Sequence, residues 1–222
     1  MKYIYCLLIL LFFSCGEDKH TKDVEENTYY SRYLEIYNAY DSVGLAKTII
    51  SLDEYLVEFP NAQNAYIFKA WALANNNQIN EIDKVFEKAL KYDSNNVYIY
   101  QYWSALLLKD SAKIEKAKKV NLEGFRIKKK DVVLENNQSW ILLFENKNNE
   151  AISNSSYVIN LDTTNNFKYY RTAAVSAIAI QNDSLYRFYN KMAVKFGQKD
   201  SLELEKFYRK NETIFELYKK LK

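Results

Sequence analysis

Residues that break or turn the backbone are scarce in this chain. Only four glycines and one proline occur in 222 residues. Sheets joined by tight turns depend on these two residue types, because glycine and proline supply the backbone angles that turns need. Helices joined by short polar loops need few of them. The scarcity therefore predicts an all-α fold, and apolar residues at 48% of the chain are enough to build its core.

Histidine is just as scarce, which limits the chemistry that the chain can perform. His20 is the only one, and it lies in a polar stretch near the N-terminus. A histidine-based metal cluster or a serine–histidine relay cannot form in the folded domain without one. The glycines are far apart, so the chain has no glycine-rich phosphate loop. We expect no enzyme activity, no metal and no cofactor; a hydrolase that uses carboxylates alone is the enzymatic alternative.

Positive and negative charges are nearly balanced, with 31 lysines and arginines against 28 acidic residues. Nucleic acid is therefore not an expected partner. One stretch, from Lys109 to Lys130, is more basic than the rest. Its cations are Lys116, Lys118, Lys119, Arg126, Lys128 and Lys129. Such a stretch could meet anionic lipid or lipopolysaccharide, but a solvated outer helix face explains it equally well.

Long apolar runs are also missing, except for one at the N-terminus. After Met1 and Lys2, this run extends from Ile4 to Phe13 and stops at Ser14-Cys15. It has about half of the ~20 residues that a membrane-spanning helix needs. A positively charged N-terminus, a short apolar core and a small residue before the cleavage site are typical of a secretory signal. The pattern therefore predicts export and cleavage.

The segment Phe12-Phe13-Ser14-Cys15 resembles the lipobox of bacterial lipoproteins, whose cysteine is acylated and becomes the first residue. Phenylalanine replaces the usual aliphatic and small residues at the first two positions. The resemblance implies a signal peptide over residues 1–14, a palmitate-type lipid anchor on Cys15, and a flexible tether over residues 15–27. It also implies a lipid-anchored protein of the cell envelope, at the outer membrane. A plain secretory signal with an incidental cysteine is the alternative.

The region from Ala65 to Asn96 has the pattern of two amphipathic helices joined by a polar turn at residues 75–78. Its apolar positions with helical spacing are Ala70, Leu73, Ile82, Phe86, Ala89 and Leu90. Together with Glu81 and the turn Asp93-Ser94-Asn95-Asn96, these residues resemble a tetratricopeptide repeat (TPR). Ile82 and Ser94 depart from the family pattern, which has a small residue and a proline there.

Looser copies of this helix pair surround the clearest one. The predicted pairs are 28–40 with 43–58, 97–108 with 113–128, 132–145 with 150–159, and 167–181 with 184–196, followed by a last helix over 201–222. The resemblance implies an all-α, right-handed TPR-like solenoid of about five antiparallel helix pairs with a C-terminal capping helix, over residues 28–222. A generic α–α array outside the family is the alternative.

Resemblance to TPR proteins implies a scaffold that binds a protein or peptide along its concave face, which the first helix of each pair lines. The candidate peptide-binding residues are Tyr33, Tyr37, Trp71, Gln101, Asn136, Trp140 and Tyr170, with Tyr30, Tyr40, Ile67 and Tyr98 on the same faces. For any single ring, a place in the core is the alternative. The segment Phe59-Pro60-Asn61-Ala62 resembles a turn in the helical-repeat lipoprotein of the barrel-assembly complex. A subunit of an outer-membrane assembly machine is therefore the alternative function.

A motif of Asp followed by Ser or Thr and then an aliphatic residue or threonine occurs five times. It resembles the O-glycosylation acceptor of some Gram-negative bacteria, which would modify Ser42, Ser111, Thr163, Ser184 and Ser201. Helix capping is the alternative, because Asp and Ser side chains accept hydrogen bonds from the first N–H groups of a helix.

Overall fold

The computed structural model describes residues 19–162 and 164–197, with side chains from residue 29 onward. Over these residues the chain forms ten α-helices and no strand, which confirms the predicted all-α fold. The helices are α1 (Lys19–Val43), α2 (Leu45–Glu58), α3 (Gln63–Asn75), α4 (Ile82–Leu90), α5 (Val97–Leu107), α6 (Ile114–Ile127), α7 (Val132–Phe144), α8 (Asn148–Leu161), α9 (Phe167–Ala179) and α10 (Asp183–Lys195). The predicted helix over 201–222, Cys15 and Thr163 lie outside the described residues.

Helix α1 begins at Lys19, earlier than the predicted start at Thr28 and inside the stretch predicted to be a tether. Residues 19–28 of the sequence contain one apolar residue, Val24, and therefore no apolar stripe. Lack of such a stripe does not prevent a helix from forming. The sequence pattern therefore did not predict the first turns of α1.

The described helices form two compact units, which divide between Pro60 and Asn61. In the first unit α2 folds back on α1, and a single residue, Gly44, joins them at φ +82. This angle lies in the left-handed region, which glycine adopts without a steric penalty. The hydroxyl of Tyr55 donates a hydrogen bond to the carbonyl of Tyr29 at 3.1 Å, and the Arg32 guanidinium pairs with Glu58. The two helices are thus joined along their length.

The second unit contains four helix pairs: α3 with α4, α5 with α6, α7 with α8, and α9 with α10. We call the earlier member of each pair the first helix and the later member the second helix. Each first helix also packs against the next first helix along the chain. In the pair predicted most clearly, Ala70, Ile82, Phe86 and Ala89 are fully buried, as expected. The Phe86 ring stacks on Trp103 of the next pair, with centroids 5.6 Å apart.

Three of the four first helices end in the same way. The second residue after the helix has a positive φ, and the next N–H group reaches back to a carbonyl in the last helical turn. These residues are Asn77 (φ 59), Asn146 (φ 59) and Gln181 (φ 56), followed by bonds from Gln78 to Leu73, Lys147 to Leu142 and Asn182 to Ala177. This is the Schellman arrangement, in which glycine is the usual left-handed residue. These three turns therefore form without glycine.

Side-chain caps begin three of the first helices. Asn96, Asp131 and Asn166 each accept a hydrogen bond from the N–H group two residues further on. Such a cap satisfies one of the N–H groups that a helix start leaves unpaired. The caps therefore mark one equivalent position in successive pairs.

Candidate peptide-binding face

The first helices of the second unit lie side by side, so that their uncovered sides form one surface. Lys109 Nζ donates to Asn75 Oδ1 at 2.9 Å between the ends of α3 and α5. Asn137 Nδ2 of α7 donates to the carbonyl of Gln101 on α5 at 3.0 Å. We define the inner face as the exposed or half-buried residues Asn64, Ile67 and Trp71 of α3, Tyr98, Tyr102 and Ala105 of α5, Val133, Asn136 and Trp140 of α7, and Lys168 and Arg171 of α9.

Two tyrosines dominate the centre of the inner face. Tyr98 and Tyr102 lie one helical turn apart on α5 and are 61% and 47% exposed. A tyrosine offers a large apolar ring and a hydroxyl, which suits a surface that becomes buried in a complex. Tyr102 was not among the predicted binding residues. Its spacing from Tyr98 was the signal in the sequence that pointed to it.

Gln101, by contrast, lies in the interior, which corrects its prediction as a peptide-binding residue. Its side chain is almost fully buried, and its Nε2 donates to Asp131 Oδ1 at 2.7 Å. The same carboxylate caps α7 by accepting from the backbone of Val133 and Leu134. The amide of Gln101 therefore joins α5 to the start of α7 and is not available to a peptide.

Hydrogen bonds keep the Asp131 carboxylate charged in this interior position. Burial alone disfavours the charged form, but bonds from Lys128 Nζ at 2.8 Å and from the backbone of Leu134 outweigh it. They hold the pKa of Asp131 below its ordinary value. The charge of Asp131 therefore serves the join between two pairs.

Tyr170 is also a packing residue rather than a surface residue. Its ring is buried and stacks on Phe196 with centroids 5.2 Å apart, and its hydroxyl donates to Asn165 Oδ1 at 3.3 Å. The predicted role of Tyr170 in peptide binding is therefore corrected to packing of α9 on the end of α10.

The remaining predicted residues of the second unit are half-buried, and their role in peptide binding stays a prediction. Trp71 is half-buried and stacks on Phe68 at 5.7 Å. Trp140 is half-buried and packs on the buried cluster that includes Leu142 and Val175. Asn136 Oδ1 is buried, and among the described residues it has no hydrogen-bond donor.

Tyr33 and Tyr37 belong to the first unit. Tyr33 is half-buried against Tyr55, with ring centroids 6.2 Å apart, and it stacks on Tyr37 at 6.3 Å. Tyr37 is 47% exposed. Burial raises the pKa of Tyr55 well above its ordinary value, which marks this side of the cluster as core. Tyr37 is therefore the member of this pair that presents a surface, and its role in binding stays a prediction.

The basic stretch from Lys109 to Lys130 forms ion pairs within the chain. Lys116 binds Asp83 at 2.6 Å, Lys118 binds Glu145, Arg126 binds Glu123 at 2.6 Å, and Lys128 binds Asp131 at 2.8 Å. Four of the six cations named from the sequence thus have a carboxylate partner. This arrangement supports a solvated helix face that neutralises its own charge.

The described O-glycosylation candidates Ser42, Ser111 and Ser184 are all exposed. Capping accounts for Ser111, where Asp110 accepts from the backbone of Ala112, but not for the others. Ser42 lies within the last turn of α1, and Asn182 caps α10. Modification at all five positions therefore stays a prediction.

Outside the inner face the described residues offer little that could carry chemistry. A shallow cleft of about 520 Å³ lies beside α8, with Glu150 and Tyr157 on its wall. Asn154 in the same wall is occupied by bonds to the carbonyl of Glu135 and to Ser139. No helix within residues 19–162 and 164–197 is long and apolar enough to cross a membrane.

Known proteins match this chain in fold but not in sequence. No family model and no curated protein matches it. A TPR protein of Thermus thermophilus matches with a TM-score of 0.68 at 12% identity, over 82% of this chain and 97% of that one. A TPR protein of Parabacteroides merdae matches with a TM-score of 0.67 at 15% identity, over 91% and 75%. YrrB, described as a TPR protein with an unusual peptide-binding site, matches with a TM-score of 0.50 at 18% identity, over 86% and 98%. The predicted TPR-like fold is confirmed.

Proposed function

We propose that the protein is a membrane-tethered, non-catalytic scaffold of the bacterial cell envelope that binds a protein or peptide partner on its inner face. The observation that carries the proposal is the pair of exposed tyrosines, Tyr98 and Tyr102, at the centre of that face. The structural match to YrrB, a TPR protein with a peptide-binding site, supports binding of a peptide by this fold.

Side-chain hydrogen bonds join the helices beneath the inner face. The side chains of Gln101, Asp131 and Asn137 tie α5 to α7 from below, through bonds of 2.7 and 3.0 Å. A surface on fixed helices loses little conformational freedom when a partner binds, so more of the contact energy appears as affinity.

Photo-cross-linking in native membranes tests the proposal. A photo-reactive amino acid replaces Tyr102 in one variant and Tyr157, an exposed tyrosine of the second helix α8, in the control. We expect a discrete protein adduct at position 102 that is absent at position 157, identified by mass spectrometry. The same adducts at both positions, or none at position 102, would argue against an inner-face scaffold.

The tether is supported by the N-terminal sequence, where the apolar run stops at Ser14-Cys15. A variant with Cys15→Ala should leave an unprocessed or soluble protein that no longer incorporates a palmitate analogue. Fractionation of envelopes and labelling of the chain measure this directly. Unchanged membrane retention together with unchanged labelling would overturn the lipid anchor.

An outer-membrane assembly subunit is the second candidate, on the basis of the Phe59-Pro60-Asn61-Ala62 turn. Packing explains part of that turn, since the Phe59 ring lies 4.9 Å from Tyr55 and 5.2 Å from Tyr29. Adducts at position 102 with components of a barrel-assembly machine would favour this candidate, and adducts with unrelated proteins would exclude it.

An enzyme that uses carboxylates is the third candidate. The inner face as defined contains no Asp or Glu, so such an enzyme would need acids elsewhere. Replacing the cleft residue Glu150 with Gln should leave partner capture unchanged, because Glu150 lies on α8. Loss of a measurable turnover in this variant would favour an enzyme.

A further inference from the structure

Acidic residues are distributed unequally between the two kinds of helix in the second unit. The four first helices contain one acid, Glu135. The four second helices contain Asp83, Glu87, Glu115, Glu123, Glu150 and Asp183. Solubility alone does not require this difference, because both kinds of helix have an uncovered side.

The single acid of the first helices turns away from the inner face. The backbone carbonyl of Glu135 accepts a hydrogen bond from Asn154 of α8 at 2.8 Å, so this position lies on the α8 side of α7. Burial raises the pKa of Glu135, as expected for a carboxyl that faces packed side chains rather than the open surface. The inner face therefore presents no carboxylate to a ligand.

Cations are present on the same surface, at its α9 end. Lys168 is exposed, and the half-buried Arg171 has its guanidinium carbon 5.9 Å from the Phe167 ring centroid. The other end of the surface is aromatic, with Trp71 on α3 and the two exposed tyrosines on α5. Between these ends lies the buried oxygen of Asn136. The two ends of the inner face therefore differ in chemistry: the α3–α5 end is aromatic and the α9 end is cationic.

We propose that the inner face binds an extended acidic peptide, with its aromatic or aliphatic side chains against Tyr98 and Tyr102 and its carboxylates against Lys168 and Arg171. This inference rests on the proposed function and adds the chemistry of the partner. Neighbouring helices are about 10 Å apart, so α5 and α9 are about 20 Å apart, and about six extended residues span them.

Binding of three synthetic peptide pools to the full chain, purified in detergent, tests the charge of the partner. All pools are nine residues long, with Phe, Leu, Tyr or Val at alternate positions and Glu, Gln or Lys at the others. Fluorescence anisotropy should show that the Glu pool binds about tenfold more tightly than the Gln pool, with the Lys pool weakest. If the Gln or Lys pool bound as tightly as the Glu pool, the claim that the partner is acidic would be overturned, but peptide binding itself would not. Failure of all three pools would count against the proposed peptide-binding function itself.

Matched variants locate the site. Lys168→Glu should weaken the Glu pool about tenfold and strengthen the Lys pool, whereas Lys191→Glu on the second helix α10 should change neither. Tyr98→Ala with Tyr102→Ala should weaken all pools alike. Far-UV circular dichroism of each variant verifies the fold. Equal effects of Lys168→Glu and Lys191→Glu would overturn the assignment to the inner face.

A further competition experiment asks whether the chain's own C-terminal sequence occupies the face. Residues 201–222 contain aromatic residues and four glutamates, but also six lysines and arginines. A synthetic peptide of residues 201–222 should not displace the Glu pool if the partner is a separate protein. Displacement at concentrations similar to those of the pool would assign the face to the chain's own C-terminus and overturn a separate partner.

Discussion

The first and second helices of the second unit differ in what they bury and in what they expose. First helix α9 has nine buried residues, from Tyr169 to Ile178, while second helix α10 has two, Tyr189 and Ala193. First helices are covered by neighbours on several sides, and the small part that stays open carries aromatic rings on α3, α5 and α7 and cations on α9. Second helices have a wide open side that carries acids and ion pairs, together with exposed rings such as Tyr157 and Phe188. Our proposal assigns partner binding to the open side of the first helices.

The largest effect that this comparison predicts comes from Asp131, at the start of first helix α7. Asp131→Ala removes the N-cap of α7 and leaves the Gln101 amide without its hydrogen-bond acceptor. It also removes the carboxylate that pairs with Lys128. We expect the free energy of unfolding to fall by about 2–4 kcal/mol. Chemical denaturation measures this. Glu87→Ala, on the open side of second helix α4, is the control and should change the value by less than about 0.5 kcal/mol.

The same carboxylate predicts a dependence of stability on pH. The pKa of Asp131 is lower in the folded chain than its ordinary value of 3.8. Its contribution is therefore fully present above that ordinary value and is lost as the pH falls through the folded pKa. In Asp131→Asn the decline in stability at acidic pH should be smaller than in the parent chain. An identical acid decline in both would show that the Asp131 charge does not stabilise the fold.

Gly124 predicts the next largest effect, where second helix α6 meets first helix α7. A Cβ atom there would lie 2.9 Å from both methyl carbons of Leu134 and 3.1 Å from Tyr100 Cβ. Gly124→Ala gains helix propensity but forces these atoms apart, so we expect a net loss of about 1–2 kcal/mol. Adding Leu134→Ala, which by itself leaves a cavity, should restore part of the loss in a double-mutant cycle. Additive effects would contradict direct contact as the cause.

The fold and the inner face could be predicted from the sequence to different extents, because different residues determine them. The pair of α3 and α4 was predicted well because Ala70, Phe86 and Ala89 repeat at helical spacing and contact each other within that pair. The inner face was predicted less well because its members depend on the next pair. The resemblance to TPR proteins predicted Gln101 on the groove, but Asp131, thirty residues later, holds its amide in the interior. No pattern local to α5 contains that information.

A smaller effect of opposite sign is predicted at Gln181, which ends first helix α9 with φ +56. Gln181→Gly removes the steric penalty of the left-handed conformation, and the loss of freedom on folding offsets only part of the gain. We expect the free energy of unfolding to rise by about 0.5–1 kcal/mol. Thermal denaturation is the measurement. A fall in the melting temperature would contradict the account of how the first helices end.

The smallest effect is predicted for the ion pairs on the open side of the second helices. Arg126 and Glu123 are both well exposed and lie within one turn of α6. Arg126→Ala should change the free energy of unfolding by less than about 0.5 kcal/mol, because exposed ion pairs contribute little in water. A loss comparable to that of Asp131→Ala would erase the difference between the two kinds of helix.

The most direct test of the central claim compares a pair of tyrosines on a first helix with a single exposed tyrosine on a second helix. The claim is that the open side of the first helices binds the partner and that of the second helices does not. The dissociation constant of the Glu peptide pool is measured for Tyr98→Ala with Tyr102→Ala, and for Tyr157→Ala alone on α8. The account predicts at least about tenfold weaker binding for the first variant and less than about twofold change for the second. Equal weakening in both would contradict it.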